Sequence, residues 1–368
     1  MKMSPVLAAA PASILIITDA WHPQVNGVVR TIDTVTGELR RLGHPVEVIG
    51  PDGFTTFPCP TYPEIRLSLL PRRRLARLID AAQPCAIHIA TEGPLGYAAR
   101  AHCLKRGLPF TTAYHTRFPE YVYARFRIPL GLTYRVMRRF HDPAAGIMVA
   151  TRSIAADLEA RGFTNTRAWS RGVDVVLFRP EGTTAEQDPF AGLERPIWLN
   201  VGRVAVEKNI EAFLALDLPG TKVVVGDGPA RERLMRAWPK AHFAGARHGE
   251  DLARYFRAAD VFVFPSRTDT FGLVLLEALA SGVPVAAFPV PGPLDVLTPR
   301  VGIMDEDLQK AALAALALDP VDCRDHAITF SWEACARQFL ANLEPLEPGG
   351  SVLTEWQQNL HGSVTEVP

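Results

Sequence analysis

Asp269 and Glu277 stand eight residues apart in the segment Phe264 to Gly282, FPSRTDTFGLVLLEALASG. Between them, Phe271, Gly272 and Leu273 mark a helix start. The first N–H groups of a helix lack acceptors within it, and the helix dipole favours an anion beside them. An acid carried inside the following apolar helix, Glu277, suits ribose hydroxyls. The segment therefore has the chemistry of a nucleotide-diphosphate pocket, with phosphate at the helix mouth and ribose further in.

A second cluster, VGRVAVEKN at Val201 to Asn209, carries Arg203 and Lys208 in a loop that follows an apolar strand. Two cations at that edge can neutralise a pyrophosphate and stabilise it as a leaving group. Gly226-Asp227-Gly228-Pro229 follows another strand and reads either as close backbone approach to a ligand or as a tight turn. The loop Gly245 to Glu250, with Asp251, is a weaker candidate for reading the base.

In the first half, Gly27 ends the loop that begins at Trp21 and opens a helix. It either lets a diphosphate or sugar come close or is only a helix-start glycine. His115 follows an apolar strand, with Tyr114, Thr116, Arg117, Phe118 and Glu120 around it as a polar-aromatic loop directed at a cleft. Glu92 reaches the same edge and could instead cap a helix. The one acidic run that resembles a metal-binding motif, Asp305-Glu306-Asp307, lies at a helix start where acids are expected anyway. No metal site is expected.

Short β-branched runs alternate with helical segments throughout, which indicates parallel α/β sheets. Strands are expected at Ile14–Ile17, Val46–Ile49, Ala86–Ile89, Pro109–Ala113 and Gly146–Ala150, with helices near 28–42 and 153–161. After Pro180 a polar stretch, GTTAEQDPFAGLERP, has the composition of a linker. The rhythm then restarts with strands at Ile197–Val201, Thr221–Val225, Val261–Phe264 and Val283–Ala287. The expected architecture is two doubly wound Rossmann-like domains facing a cleft at their strand C-termini. Residues 1–180 would form the first and 181–330 the second. Residues 331–368 would add a last helix near 332–343, packing back on the first domain, and a loosely held tail.

The 368 residues carry no formal net charge, but the halves differ. Residues 1–180 hold 23 Lys/Arg and 13 Asp/Glu, against 16 and 26 in residues 181–368. The positive excess gathers in Arg72, Arg73, Arg74 and Arg77 beside Leu69, Leu70, Leu75 and Leu78. It gathers again in Arg125, Arg127, Arg135, Arg138 and Arg139 among Phe126, Ile128, Leu130, Leu132, Tyr134, Met137 and Phe140. Basic and apolar residues mixed on amphipathic segments favour an anionic membrane surface, the alternative being a solvated helix face over an ordinary core. Nucleic acid is disfavoured, since no recognition module is present. Five cysteines, odd in number and without CxxC spacing, indicate neither zinc nor a disulfide framework and fit a reducing compartment. The start, MKMSPVLAAAPAS, only faintly mimics a signal peptide, and a first strand behind a ragged N-terminus is the expectation.

The blocks TDAWHPQVNGVVRT, YHTRFPEY, RGVDVVLFRP, VGRVAVEKN, GDGP and FPSRTDTFGLVLLEALASGVPV together resemble the retaining nucleotide-sugar glycosyltransferases of family 4, which have the GT-B architecture. Within that family the chain is similar to bacterial enzymes that glycosylate diacylglycerol or related lipids, and to lipid mannosyltransferases. The resemblance implies that Arg203 and Lys208 bind the donor diphosphate and that Glu277 holds the ribose. The amides of Phe271, Gly272 and Leu273 would contact phosphate and sugar, and Gly27 would admit the diphosphate to the first domain. His115 would sit beside the transferring sugar. Asp269 stands where the family has glutamate, one methylene shorter, which bears on the sugar accepted. The co-substrate implied is a nucleotide sugar, UDP-sugar ahead of GDP-mannose, with a lipid acceptor, no cofactor, and a place on the inner face of the cell membrane.

Two other classes compete. A nucleotide-dependent epimerase or dehydrogenase would carry GxGxxG after the first strand, where this chain reads DAWHPQVNG. A non-catalytic sugar-nucleotide or lipid binder would bind without turnover.

Overall fold

The computed structural model describes residues 13–24, 26–59, 62–182, 188–269, 271–347 and 352–361. The N-terminal segment before Ser13, the middle of the polar stretch after Pro180 and the Pro/Gly stretch near 348–351 lie outside the described residues.

The first sheet uses β1 (Ile14–Ile17), β2 (Val46–Ile49), β5 (Ala86–Ile89), β6 (Thr111–Tyr114), β7 (Gly146–Val149) and β8 (Thr166–Ala168). All pair in parallel in the order β2-β1-β5-β6-β7-β8. An antiparallel hairpin, β3 (Thr56–Cys59) with β4 (Tyr62–Ser68), stands apart from it. The helices of this half are α1 (Gly27–Arg41), α2 (Arg72–Ala82), α3 (Pro94–Arg106), α4 (Phe118–Phe126), α5 (Leu130–His141) and α6 (Arg152–Ala160).

Strand side chains alternate between faces, and here both faces are apolar. Ile14 and Ile16 face α1, while Leu15 and Ile17 face α2, α3 and α5. Continuous β-branched runs such as ILII arise because each strand is covered on both sides.

The second sheet repeats the plan with β9 (Ile197–Val201), β10 (Thr221–Val225), β11 (His242–Gly245), β12 (Val261–Phe264), β13 (Val285–Ala287) and β14 (Gly302–Met304). It is parallel throughout, in the order β11-β10-β9-β12-β13-β14. Its helices are α7 (Ile210–Leu214), α8 (Arg231–Ala237), α9 (Gly249–Arg257), α10 (Leu273–Ala280), α11 (Pro293–Val296), α12 (Leu308–Ala315) and α13 (Pro320–Ile328). One core layer joins the strands to α7, α8 and α12, the other to α9, α10 and α13. These are two doubly wound α/β units of the GT-B kind.

The chain then returns to the first sheet. Helix α14 (Trp332–Asn342) sets Cys335, Ala336, Phe339 and Leu340 into the layer beneath β1 and α1. The expectation of a loose tail directly after it is corrected by α15 (Val352–His361), which buries Leu353 and Leu360 in the same layer. Its apolar residues are few, so its burial rests on tertiary packing rather than on a local signal.

Each sheet reverses strand order beside its first strand, between β1 and β5 and between β9 and β12. At such a switch point adjacent loops diverge to opposite faces and open a crevice at the strand C-termini. The loops after β9 and β12 flank this switch point in the second sheet and carry Arg203, Lys208 and Asp269.

Candidate functional site

The loops after β9 and β12 are laced together. Asn209 donates to the Pro265 carbonyl at 3.1 Å, Thr268 donates to the Glu207 carbonyl at 3.1 Å, and Lys208 pairs with Asp269. Burial works to lower the Lys208 pKa, but Asp269, Tyr121 and Glu207 outweigh it and hold the ammonium firmly charged. Only one oxygen of Asp269 is used in this way. Its Oδ2 is buried with no hydrogen-bond partner among the described residues. A buried carboxylate oxygen left so is costly, and a ligand hydroxyl is the kind of group that would satisfy it. Arg203 lies half-buried in the same loop after β9.

Helix α10 begins at Leu273, with Gly272 as its N-cap at φ +83°. The left-handed backbone there favours glycine, and a side chain would also press on Phe264 and Leu275 at 3.1 and 3.2 Å. Phe271 is buried in the core layer below and fixes the turn. Glu277 is 2 % exposed and one turn inside the helix. Burial pushes its pKa up, while Arg30 pulls it back down.

Arg30 comes from α1 across the cleft, 247 residues away in sequence, and pairs directly with Glu277. Its guanidinium also lies 5.6 Å from the centre of the Phe178 ring. One turn back along α1, a side chain at Gly27 would meet only the Leu273 side chain, at 3.9 Å. The mouths of α1 and α10 therefore confront each other, with Gly27 and Leu273 at the point of approach. Asn26 caps α1 by accepting from the Val28 and Val29 amides, both at 3.0 Å. Sequence reading singles out Gly27, Leu273 and Glu277 as candidates but not Arg30, because no local pattern links α1 to α10.

Helix α4 also reaches over from the first half. Arg125 lies 3.5 Å from Glu207, and Tyr121 lies close enough to Lys208 and Asp269 for their charges to act on its phenol. His115 sits just past the end of β6, half-buried, with Arg171 beside it and the Trp169 ring edge-on at 5.5 Å.

Several expectations need correction. The polar-aromatic loop around His115 is not directed as a whole at the cleft. Arg117 pairs instead with Glu120 at 3.1 Å and Asp157 at 2.9 Å, Tyr134 donates to Glu120 at 2.6 Å, and Tyr114 is buried. Glu92 does not cap α3: it lies 3.2 Å from His141. The cap is Asp19, which accepts from the Leu95 amide at 2.8 Å and the Gly96 amide at 3.2 Å. Burial raises the Asp19 pKa to about 6 despite those bonds.

The glycines of Gly226-Asp227-Gly228 admit neighbouring backbone. A side chain at Gly226 would strike the Gly202 carbonyl at 1.8 Å, and one at Gly228 the Val204 carbonyl at 2.5 Å. They let the loop bearing Arg203 pack against β10. Glu250 and Asp251 pair with Arg257 and Arg247. In the acidic run, Asp307 caps α12, Asp305 pairs with Lys310 and Glu306 with Arg267. Among the described residues no group of three or more His, Cys, Asp and Glu is arranged to hold a metal ion.

On the basic surface Leu75, Tyr134, Met137 and Phe140 are core residues, whereas Leu69, Leu70, Leu78, Phe126, Ile128 and Leu132 are exposed. Along α5, Leu132, Arg135, Val136 and Arg139 share the outer face. Beside it an open depression of about 610 Å³ is lined by Arg100, Arg135, Arg138, Arg139, Asp142 and Pro143. No helix among the described residues is long and apolar enough to cross a membrane. None of the five cysteines forms a disulfide among the described residues.

Comparison with known proteins adds two family matches. The family described as Glycosyltransferase Family 4 matches residues 25–177, and Glycosyl transferases group 1 matches residues 195–319. The chain is 32% identical over 314 residues to a GDP-mannose-dependent alpha-mannosyltransferase of Mycobacterium tuberculosis, covering 79% of this chain and 83% of that protein. It is 28% identical over 359 residues to an alpha-monoglucosyldiacylglycerol synthase of Streptococcus pneumoniae, covering 85% and 80%. Among solved structures, the sucrose-phosphate synthase of Thermosynechococcus elongatus superposes with a TM-score of 0.72 at 22% identity, over 96% of this chain and 100% of that one. That likeness is one of fold.

Proposed function

This chain belongs to glycosyltransferase family 4, and we propose that it moves a hexosyl group from a nucleotide-diphosphate sugar to a hydroxyl of a lipid acceptor, with retention at the anomeric carbon. The observation that carries the reading is the buried Asp269 Oδ2, without a partner among the described residues, beside the charged Lys208 at the switch point of the second sheet.

In this reading Arg203 and Lys208 take the diphosphate, aided by the first amides of α10. Glu277 takes the ribose, and Asp269 Oδ2 accepts from a sugar hydroxyl. The bond from the anomeric carbon to the diphosphate oxygen breaks through an oxocarbenium-like state. The acceptor oxygen bonds to the same face, and its proton passes to the departing diphosphate. Fixed cations and amides at the leaving group stabilise charge that develops only in the transition state, so they lower the barrier rather than merely bind. No metal is required by this arrangement.

A lipid acceptor draws support from the likeness to the diacylglycerol-glycosylating relative and from the basic, apolar outer face of α5. That face would rest on an anionic membrane as a peripheral contact. UDP-hexose is the donor expected from the sequence. GDP-mannose is the second reading, favoured by the likeness to the mannosyltransferase.

A screen of UDP-glucose, UDP-galactose and GDP-mannose against diacylglycerol, monoglucosyldiacylglycerol and a total lipid extract tests it, with EDTA present in parallel. Nucleoside diphosphate released in step with a new glycolipid, at the same rate in EDTA, is the expected result. Donor binding without turnover on any lipid would instead indicate a binding protein.

A further inference from the structure

Arg171 is 4 % exposed, and no carboxylate among the described residues pairs with it. A guanidinium buried without a counter-charge is expensive unless its donors are satisfied. Its Nη1 donates to the Trp169 carbonyl at 2.6 Å and to the Ser170 carbonyl at 2.8 Å. Its Cζ lies 4.2 Å from the centre of the Trp169 ring. Its Nη2 lies 3.3 Å from Nδ1 of His115. The segment is held in place from behind: a side chain at Gly172 would strike the backbone N of Trp332 at 2.5 Å, and the Trp169 indole donates to the Cys335 carbonyl at 3.2 Å.

A guanidinium can only donate. His115 Nδ1 must therefore accept, and an uncharged ring then carries its proton on Nε2. We propose that Arg171 is a positioning residue for the transfer reaction, fixing the His115 imidazole as the neutral Nε2–H tautomer so that the ring meets the sugar as a hydrogen-bond donor. This rests on the reading of His115 as the residue beside the transferring sugar. It assigns the ring no proton transfer. A neutral donor suits a centre that becomes positive in the transition state, whereas an imidazolium would repel it.

The charged and titratable groups that act on the ring include Arg171 and, from β5, His88, with Cys335 of α14 behind the guanidinium. Burial, then Arg171, then His88 hold the His115 pKa well below the ordinary histidine value. Burial takes His88 to about 3, Arg171 to about 10 and Cys335 to about 11, so none of these three titrates near neutral pH.

The test combines ¹⁵N NMR of the imidazole with the pH profile of kcat/KM, in the full chain and in Arg171→Met. The wild type should show a bare Nδ1 and a protonated Nε2 at about pH 7, and no histidine limb above about pH 6. Arg171→Met should show Nδ1–H rings beside Nε2–H ones, since the donor that keeps Nδ1 bare is gone. It should shift any acidic limb of kcat/KM upward in pH and lose roughly tenfold in kcat/KM, with nucleoside diphosphate affinity unchanged. Should that variant fail to fold, Arg171→Lys, which keeps the charge but not the fork, should show the same changes more weakly. An Nδ1–H or doubly protonated ring in the wild type overturns the proposal, as does an unaltered spectrum and profile in the folded variant. Unchanged turnover in His115→Ala would overturn the reading of His115 as well, so the two failures are told apart.

Discussion

Arg30, one turn into α1, pairs with Glu277, one turn into α10, and so ties the two helix mouths together across the cleft. The carboxylate proposed to hold the ribose is thus engaged by the opposite half of the molecule. Donor ribose must share Glu277 with Arg30 or displace it.

Removing Arg30 leaves Glu277 buried without its compensating charge, so its pKa, already raised by burial, rises further. A protonated Glu277 accepts ribose hydroxyls poorly. Arg30→Ala should weaken nucleotide binding about tenfold, more at acidic than at alkaline pH, because the carboxylate is then more readily protonated. Calorimetric titration of variant and wild type at several pH values checks it. Equal affinities of variant and wild type throughout would show that the pair has no bearing on donor binding.

How far this geometry was legible depends on range in sequence. Strands β1, β5, β9 and β12 were readable residue by residue, because parallel strands buried on both faces are near-continuous apolar runs. Strands β2 (VEVI) and β10 (TKVVV) were readable from their β-branched residues, although each carries a charged one. Edge strand β8 reads TRA and β11 reads HFAG, and neither carries such a run. Arg203, Lys208, Asp269 and Glu277 were identifiable because each lies close behind a readable strand or helix start. Arg30, Asp19 and Tyr121 were not, since their partners stand on other elements far along the chain and only tertiary packing brings them together.

His88 is buried against Phe339 and Trp169, with Nδ1 2.9 Å from the Thr111 hydroxyl. Burial lowers its pKa from 6.5 to about 3. The unfolded chain therefore binds a proton between those values that the folded chain does not, and stability must fall as pH drops below 6.5. The contribution is fully present above that value and lost progressively toward pH 3. Between pH 7 and 5 it amounts to about 2 kcal/mol. His88→Asn should flatten the pH dependence of the unfolding free energy from urea titrations by that amount. An unchanged pH slope would mean that the ring is protonated in the folded state.

The outer face of α5 presents Arg135 and Arg139 beside Leu132 and Val136. Arg135→Glu with Arg139→Glu should abolish sedimentation with anionic vesicles and leave nucleotide affinity as it was. Wild-type binding should weaken with salt, since the attraction is screened within about 10 Å at 0.1 M ionic strength. Vesicle binding that survives both substitutions would make these arginines ordinary solvated surface.

The most direct test of the account is calorimetric titration of UDP and GDP, each against its own monophosphate, in Arg203→Ala and Lys208→Ala. If the loop after β9 holds the diphosphate, each variant should lose roughly 10- to 100-fold in affinity for the diphosphate that the wild type binds. Affinity for the monophosphate should change far less. Undiminished diphosphate affinity in both folded variants would contradict the assignment of the donor site.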